Sequence, residues 1–297
     1  MSISGFSYVR NGFDYGCPFI EAITSILPLC DEFVVAVGDS TDGTRDAIVA
    51  INSPKIKIID TVWDMNLRSG GRIFAQQANI ALDHITGDWA FHIQADEVVH
   101  EDSLPLIAAS IEKYNADKKI DGFILPFLHF WGDYNHIRDT RKVHKHEVRL
   151  FRNDKLIRSY RDSQGFRKYK TLEGYDDGSD KGEKLNVKKI DAPVYHYNGV
   201  RSPQLMNSKN QHFGFFYGVG DIDKIEAQPD FDLHIVDRVR RFLKTHPVVM
   251  MEKVETYPYT FEHDKSKAIW KTKDRLLQPI EDVLGFKFGE YKNYKLV

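Results

Sequence analysis

The stretch "AFHIQADEVVHED", residues 90–102, runs from a short apolar strand directly into Gln94, Asp96, Glu97, Glu101 and Asp102, with His92 and His100 between them. Carboxylates at the end of a buried strand are poorly solvated and repel one another, so they cost stability unless a cation neutralises them. A divalent metal bridging to phosphate is a common solution, because hard cations take oxygen ligands from one or two protein carboxylates. The structural alternative is that Glu97, Glu101 and Asp102 charge the start of the helix predicted over "SLPLIAASIEKY". That alternative suffices for Glu101 and Asp102. For Asp96 the metal reading is the one adopted.

Working outward towards the N-terminus, strand and helix patterns alternate. "ISGFSYV", "EFVVAVG", "KIKIID" and "DWAFHIQ" read as strands, and "PFIEAITSILPLC", "DGTRDAIVAI" and "GGRIFAQQANIALDHI" as helices. This alternation predicts βαβ units and a parallel sheet covered on both faces. Such sheets bind ligands beyond the carboxyl ends of their strands, and two of those ends carry acids: "GDSTDGT" at 38–44 and "QADE" at 94–97. In the first, Asp42 or Ser40 suits a helix cap, which by itself suffices to explain the motif; the functional alternative is that Asp39 accepts hydrogen bonds from a base or ribose bound at the edge. In "NLRSGGRIFAQQAN", 66–79, Arg68 and Arg72 flank two glycines at a helix start, which suits an anionic ligand. It matches neither Gly-rich phosphate signature.

Towards the C-terminus the character changes. "DGFILPFLHFWGDY" and "KHEVRLFRN" read as β segments, "LEGYDDGSDKGEK" as a mobile surface loop, and "VKKIDAPVYHY" as one strand ending at His196. An imidazole there can complete a Mn²⁺-type site that Asp96 begins, and Arg201 can pair with a diphosphate. From Pro203 on, "QLMNSKNQHFGFFYG", "DLHIVDRVRRFLK" and "DKSKAIWKTKDRLLQPIEDVLG" read as helices, with breaks at Pro229, Pro247 and Pro258. The expected division is 1–202, an α/β domain, and 203–297, a mainly helical region. Most aromatics in "HFWGDY" and "QHFGFFYGVG" are assigned to core packing; Trp131 and Tyr134 are candidates to stack on a bound ligand.

Composition excludes several classes. A formal net charge of −2 gives no electrostatic basis for general nucleic-acid binding. Two cysteines make neither a disulfide framework nor a Cys-based zinc site, which favours a reducing, cytoplasmic setting. The first residues lack the layout of a signal peptide, and no apolar run is long enough for a transmembrane anchor. A peripheral place at the inner membrane is compatible with all of this.

Taken in order, "FSYVRN", "CDEFVVAVGDSTDGT", "RSGGRIFAQQANIALDHITGDWAFHIQADEVV" and "HEVRLFRN" resemble the family 2 glycosyltransferases with a GT-A fold. The resemblance covers roughly the first 150 residues by this pattern reading. It implies an α/β, GT-A-like (Rossmann-related) and mostly parallel sheet flanked by helices, with 1–202 as a nucleotide-sugar-binding and catalytic domain and 203–297 as a helical C-terminal extension on the acceptor side or in a homodimer contact. It also implies that Asp39 lies against the nucleobase, that Arg10 and Asn11 line the nucleotide pocket, and that Arg68 and Gly71 lie near base and ribose. Asp96 takes the place of the last Asp of the family's D-x-D and binds Mn²⁺ or Mg²⁺, with His196 as second ligand. Three departures stand out. Gln94 replaces the first Asp of D-x-D and keeps only an amide for a ribose hydroxyl; Gly12 stands where the family's "RNE" has Glu; and the usual "E-D" catalytic-base signature is missing.

The reaction implied is transfer of a sugar from a UDP- or GDP-linked donor to a hydroxyl of a saccharide or glycolipid acceptor, with inversion, in cell-surface polysaccharide or glycolipid synthesis. Asp162 in "YRDSQGFR" is the candidate general base, with Glu147, Asp176 and Asp177 as rivals. Two other classes stand beside this one. A catalytically silent GT-A-like module would bind nucleotide or glycan without turnover. A sugar nucleotidyltransferase would need a Gly-rich, Lys/Arg-containing N-terminal loop that "SYVRNGFDYG" does not supply.

Overall fold

A computed structural model describes residues 1–219 and 230–297; Gly220 and Pro229 lie outside the described residues. The first half alternates: β1 (Ile3–Val9), α1 (Phe19–Ile26), β2 (Glu32–Val37), α2 (Thr44–Ala50), β3 (Ile56–Asp60), α3 (Arg72–Leu82) and β4 (Trp89–His92). Then come β5 (Glu97–Val99), α4 (Leu104–Tyr114), β6 (Gly122–Trp131), β7 (Asp133–Arg138), β8 (His146–Arg152), β9 (Ile157–Tyr160) and β10 (Gly165–Lys168). The remainder holds α5 (Leu172–Asp176), β11 (Glu183–Lys189), β12 (Val194–Gly199), α6 (Pro203–Phe216), β13 (Val239–Arg241), α7 (Met251–Glu255), α8 (Thr272–Leu284) and β14 (Tyr294–Leu296).

The sheet runs β3-β2-β1-β4-β8-β6-β11-β10-β9, and its first four strands are parallel. β2 shows why. Phe33, Val35 and Val37 pack on one side with Phe19, Ile23 and Ile26 of α1, while Val34 and Ala36 pack on the other with Ala81 and Leu82 of α3. A strand apolar on both faces needs helices on both faces, which only parallel crossovers supply at this spacing. Each large side chain so buried contributes about 2 kcal/mol. Beyond β4 the sheet is mixed, because β8 runs antiparallel to both β4 and β6.

"VKKIDAPVYHY" is two strands, not one. β6 is ten residues long and takes two parallel partners in succession: β11 at Gly122–Ile124 and β12 at Phe127–Trp131, with the chain stepping across at Ala192–Pro193. Within 203–297, α6 and α8 are helices, whereas "DLHIVDRVRRFLK", read as a helix from its spacing, is a 3-10 turn at Leu233–Ile235 followed by β13, which pairs with β7. β14 pairs with β11, so the C-terminal region shares the sheet of the first 202 residues. The expected loop at 172–184 carries the short helix α5, capped by the Thr171 hydroxyl. No helix among the described residues is long and apolar enough to cross a membrane.

Candidate active site

β1, β2 and β4 end at one edge, where a cleft of about 740 Å³ opens. Arg10, Gln94, Asp96, Glu147, Asp162 and His196 all line it. The register explains how the distant members arrive. β12 pairs antiparallel with β5, so His196 lies opposite Glu97, and the Tyr197 N–H donates to the Asp96 carbonyl at 2.8 Å. β8 enters antiparallel to β4, which brings Glu147 to the same edge.

The acids of 94–102 divide by partner. Glu97 is buried and receives the Arg149 guanidinium of β8 on both oxygens, at 2.8 and 2.7 Å. It is a core ion pair rather than a helix-start charge. Glu101 accepts from the Val248 N–H at 3.1 Å, and Asp102 points to solvent. Asp96 is the acid left at the cleft. Its Oδ2 lies 3.3 Å from Lys209 Nζ and 3.6 Å from Arg201 Nη2, and its Oδ1 lies 3.5 Å from His196 Nε2. Burial would raise the Asp96 carboxyl, but Lys209, then His196 and Arg201, outweigh it and hold it well below the usual carboxylate range. Lys209 is itself pulled down by burial and by Arg201, against the attraction of Asp96.

Asp96 Oδ1 and His196 Nε2 face one another at a separation that suits two ligands of one cation, which is on the order of 3–3.5 Å for bonds near 2.1 Å. The imidazole is oriented from behind. His196 Nδ1 and His129 Nδ1 share a hydrogen bond of 2.9 Å, and His129 Nε2 donates to the His144 carbonyl at 2.8 Å. Burial, then His196, lowers His129 to about 3, so it is neutral and accepts at Nδ1. His196 then donates from Nδ1 to that lone pair, and the contact fixes the ring with Nε2 towards Asp96. His129, His144 and His196 also bring one ligand atom each within 4.8 Å of one another, but this second grouping carries no carboxylate.

The other expected residues serve different neighbours. Arg10 Nε donates to Asp39 Oδ1 at 2.9 Å, and the Trp63 N–H reaches the same oxygen at 3.3 Å. Asn11, at φ +50°, accepts from the Thr41 N–H and so ties the end of β1 to the loop after β2. Arg68 donates to the Phe215 carbonyl and lies over the Phe215 ring, outside the cleft lining. Gly71, at φ +68°, lets α3 close on Asp162: a Cβ there would meet Asp162 Cβ at 2.7 Å. Gln94 donates to the Ser163 carbonyl at 3.3 Å. Arg201 is fully buried, with Nε donating to the Tyr15 carbonyl at 2.6 Å and Nη1 to the Asn198 carbonyl. Gly12 has a packing reason, since a Cβ would meet the Phe19 ring at 2.4 Å. A glutamate does not fit there.

Five residues that line this cleft each hold a buried polar atom without a hydrogen-bond partner: Trp63, His144, His146, Glu147 and Asn293. Such atoms are rare in folded proteins. Glu147 is raised to about 8 by burial, against Arg149 and with Glu97 and Asp162. The sign follows. The folded chain holds this proton between the ordinary value of 4.5 and about 8, so its contribution is fully present below 4.5 and lost as pH rises through about 8. Glu147→Gln is therefore expected to melt several degrees above the parent at pH 9 and near it at pH 5. Equal gaps at both values would contradict the burial of this carboxyl.

Asp162 sits at the β9–β10 turn between Arg161 (φ +55°) and Ser163 (φ +61°) and accepts from the Tyr217 hydroxyl at 2.7 Å. Non-glycine residues in this backbone region store strain and cluster at functional turns. A second cavity opens on the far side, lined by Arg72, Arg158, Arg161 and Arg167 with Tyr160 and Tyr175. Asp162, Gln164 and Tyr217 line both cavities.

Sequence reasoning did not name Lys209, although it lies in "QLMNSKNQHFGFFYG", nor did it pair Arg149 with Glu97. Trp63 and the His129–His144 pair carried no signal beyond their residue type.

A family model described as "Glycosyl transferase family 2" matches residues 17–171. No curated protein matches the chain. Among solved structures the chain is similar to TarS from S. aureus, at 14% identity and TM-score 0.38, over 73% of this chain and 65% of that one. It is similar to glucosyl-3-phosphoglycerate synthase from Mycobacterium tuberculosis, at 14% identity and TM-score 0.40, over 74% and 81% of the two chains. It is also similar to the mannosyltransferase PcManGT from Pyrobaculum calidifontis, at 23% identity and TM-score 0.31, over 43% and 36%. The chain thus spans less than two thirds of the TarS structure and just over a third of PcManGT.

Proposed function

This chain belongs to glycosyl transferase family 2, and from that premise we propose that it moves a sugar from a UDP- or GDP-linked donor to a hydroxyl of a saccharide or glycolipid acceptor, with inversion at the anomeric carbon. The observation that carries the reading is the convergence on one cleft of an ionised Asp96 and the cations around it. The diphosphate lies against Lys209 and Lys142, which line the cleft, and the nucleobase towards Arg10, Asp39 and Trp63. Gln94 lines that pocket, and Asn11, Arg68 and Gly71 shape it from behind. Arg201 acts through Asp96, which it holds ionised.

Asp96 and His196 fit a divalent cation, Mn²⁺ or Mg²⁺, by donor type and by separation. When bound, such an ion supplies positive charge to the oxygens of the departing diphosphate. The chain's own residues do the rest. Lys209 neutralises the leaving group, and the imidazole–imidazole contact with His129 fixes the ring of His196. The acceptor oxygen forms its bond to the anomeric carbon on the face opposite the diphosphate, the carbon–diphosphate bond breaks, and the acceptor proton passes to a carboxylate.

Asp162 is that carboxylate in this proposal. A base must face donor and acceptor together, and Asp162 borders both the donor cleft and the Arg- and Tyr-lined cavity beside it. Glu147, raised to about 8, is protonated at neutral pH and suits a hydrogen-bond donor to a substrate oxygen. In a donor-consumption assay, Asp162→Asn is expected to lower kcat by about 10²–10⁴-fold with donor KM nearly unchanged. Glu147→Gln, a mimic of the protonated form, is expected to stay within about tenfold of the parent at pH 7. The reverse ranking would move the base to Glu147.

A further inference from the structure

Helix α8 is mounted with its polar face inward. Arg141, between β7 and β8, donates from Nη1 to Asp274 Oδ1 at 2.7 Å and from Nε to Glu281 Oε2 at 3.1 Å, and its backbone N–H donates to Gln278 Oε1 at 2.7 Å. Residues 274, 278 and 281 share one helical face. Leu276, Ile280 and Val283 repeat that spacing two residues on, about 200° round the helix. They face solvent: Leu276 is 67% exposed and Val283 86%, and exposed Leu284 and Phe286 extend the patch. A surface helix ordinarily does the opposite, and a contiguous apolar patch of this kind marks an interaction site.

Charge selects the partner. Lys271, Lys273 and Arg275 stand exposed around the start of the helix, Lys265 precedes them, and Lys292 and Lys295 follow. The helix's own acids do not offset them, because Asp274 and Glu281 are held by Arg141 and Asp282 by Arg238. A second copy meeting this face about a twofold axis would set one basic rim against the other. An apolar helix face edged by Lys and Arg matches instead an anionic lipid surface, into which such a face sinks while the cations meet the headgroups. The placement is continuous with the cleft, since Lys287, Glu290, Tyr291 and Asn293, just after α8, line its wall.

We propose that α8, with the segment running to Phe288, docks the protein on an anionic membrane surface and so holds the cleft at the bilayer interface. This goes beyond sugar transfer and does not depend on it. The test is flotation of the full chain with vesicles of phosphatidylcholine alone and of a one-to-one mixture with phosphatidylglycerol, alongside light scattering of the free protein. The expected result is binding to the mixed vesicles only, released by high salt. Ile280→Asp/Val283→Asp is expected to weaken it by about tenfold or more, and Lys271→Glu/Lys273→Glu/Arg275→Glu to do the same with the apolar face intact. All substituted side chains point outward, so the melting temperature should hold. Absence of flotation, or flotation unaltered in both variants, would overturn the proposal. A dimer that Ile280→Asp/Val283→Asp converts to monomer, with flotation unchanged, would assign the face to a second copy instead.

Discussion

Asp96→Asn is expected to lower sugar transfer by about 10³-fold. The substitution keeps the size of the side chain and removes the charge that faces His196, Lys209 and Arg201. It also leaves Lys209 and Arg201 buried beside each other without a counter-ion, so some stability is lost as well. The two effects separate in the double variant Asp96→Asn/Lys209→Met, which is expected to melt closer to the parent and yet remain inactive. Steady-state donor consumption and thermal melts on the same preparations decide it. An Asp96→Asn protein that turns over within tenfold of the parent would remove Asp96 from the chemistry.

The second large effect concerns the fold. Arg149→Met strands the Glu97 carboxylate in the core, where Arg149 alone supplies its two charged hydrogen bonds. Removing one partner of a buried ion pair costs about 3–5 kcal/mol, because the remaining charge has no compensation. That corresponds to a fall in Tm on the order of 10 °C. The double variant Glu97→Met/Arg149→Met is expected to recover most of the loss, since two apolar side chains of similar volume carry no desolvation cost. If the single variant melts with the parent, Glu97 is not the buried, ionised partner described above.

The N-terminal half of the site was legible because a parallel sheet forces its strand ends to one edge. Asp39 and Asp96 could be placed from strand order alone, and the chain does bring them there. His196 was paired with Asp96 from residue type and resemblance, not from strand order. Its approach to Asp96 depends on β12 pairing with β5 at His196 and Glu97, a register that no local pattern encodes. Arg149 was hidden for the same reason: its partner lies 52 residues away and is met only because β8 runs antiparallel to β4. Further on, helical spacing in "DLHIVDRVRRFLK" lost to long-range contacts. Asp237 is buried between Arg138 and Lys142, and Val239–Arg241 pairs with β7. In α8 the periodicity gave the helix correctly but not its facing, because Arg141 draws the polar side inward.

The claim on which the rest stands is that Asp96 marks the diphosphate end of a nucleotide-sugar site. Calorimetric titration of UDP and GDP, with and without Mn²⁺, into the parent and Asp96→Asn proteins tests it most directly. The account predicts binding of one of the two nucleotides that Mn²⁺ strengthens in the parent and does not strengthen in Asp96→Asn. Nucleotide binding that is the same in both proteins and indifferent to the ion, or none to either, would contradict it.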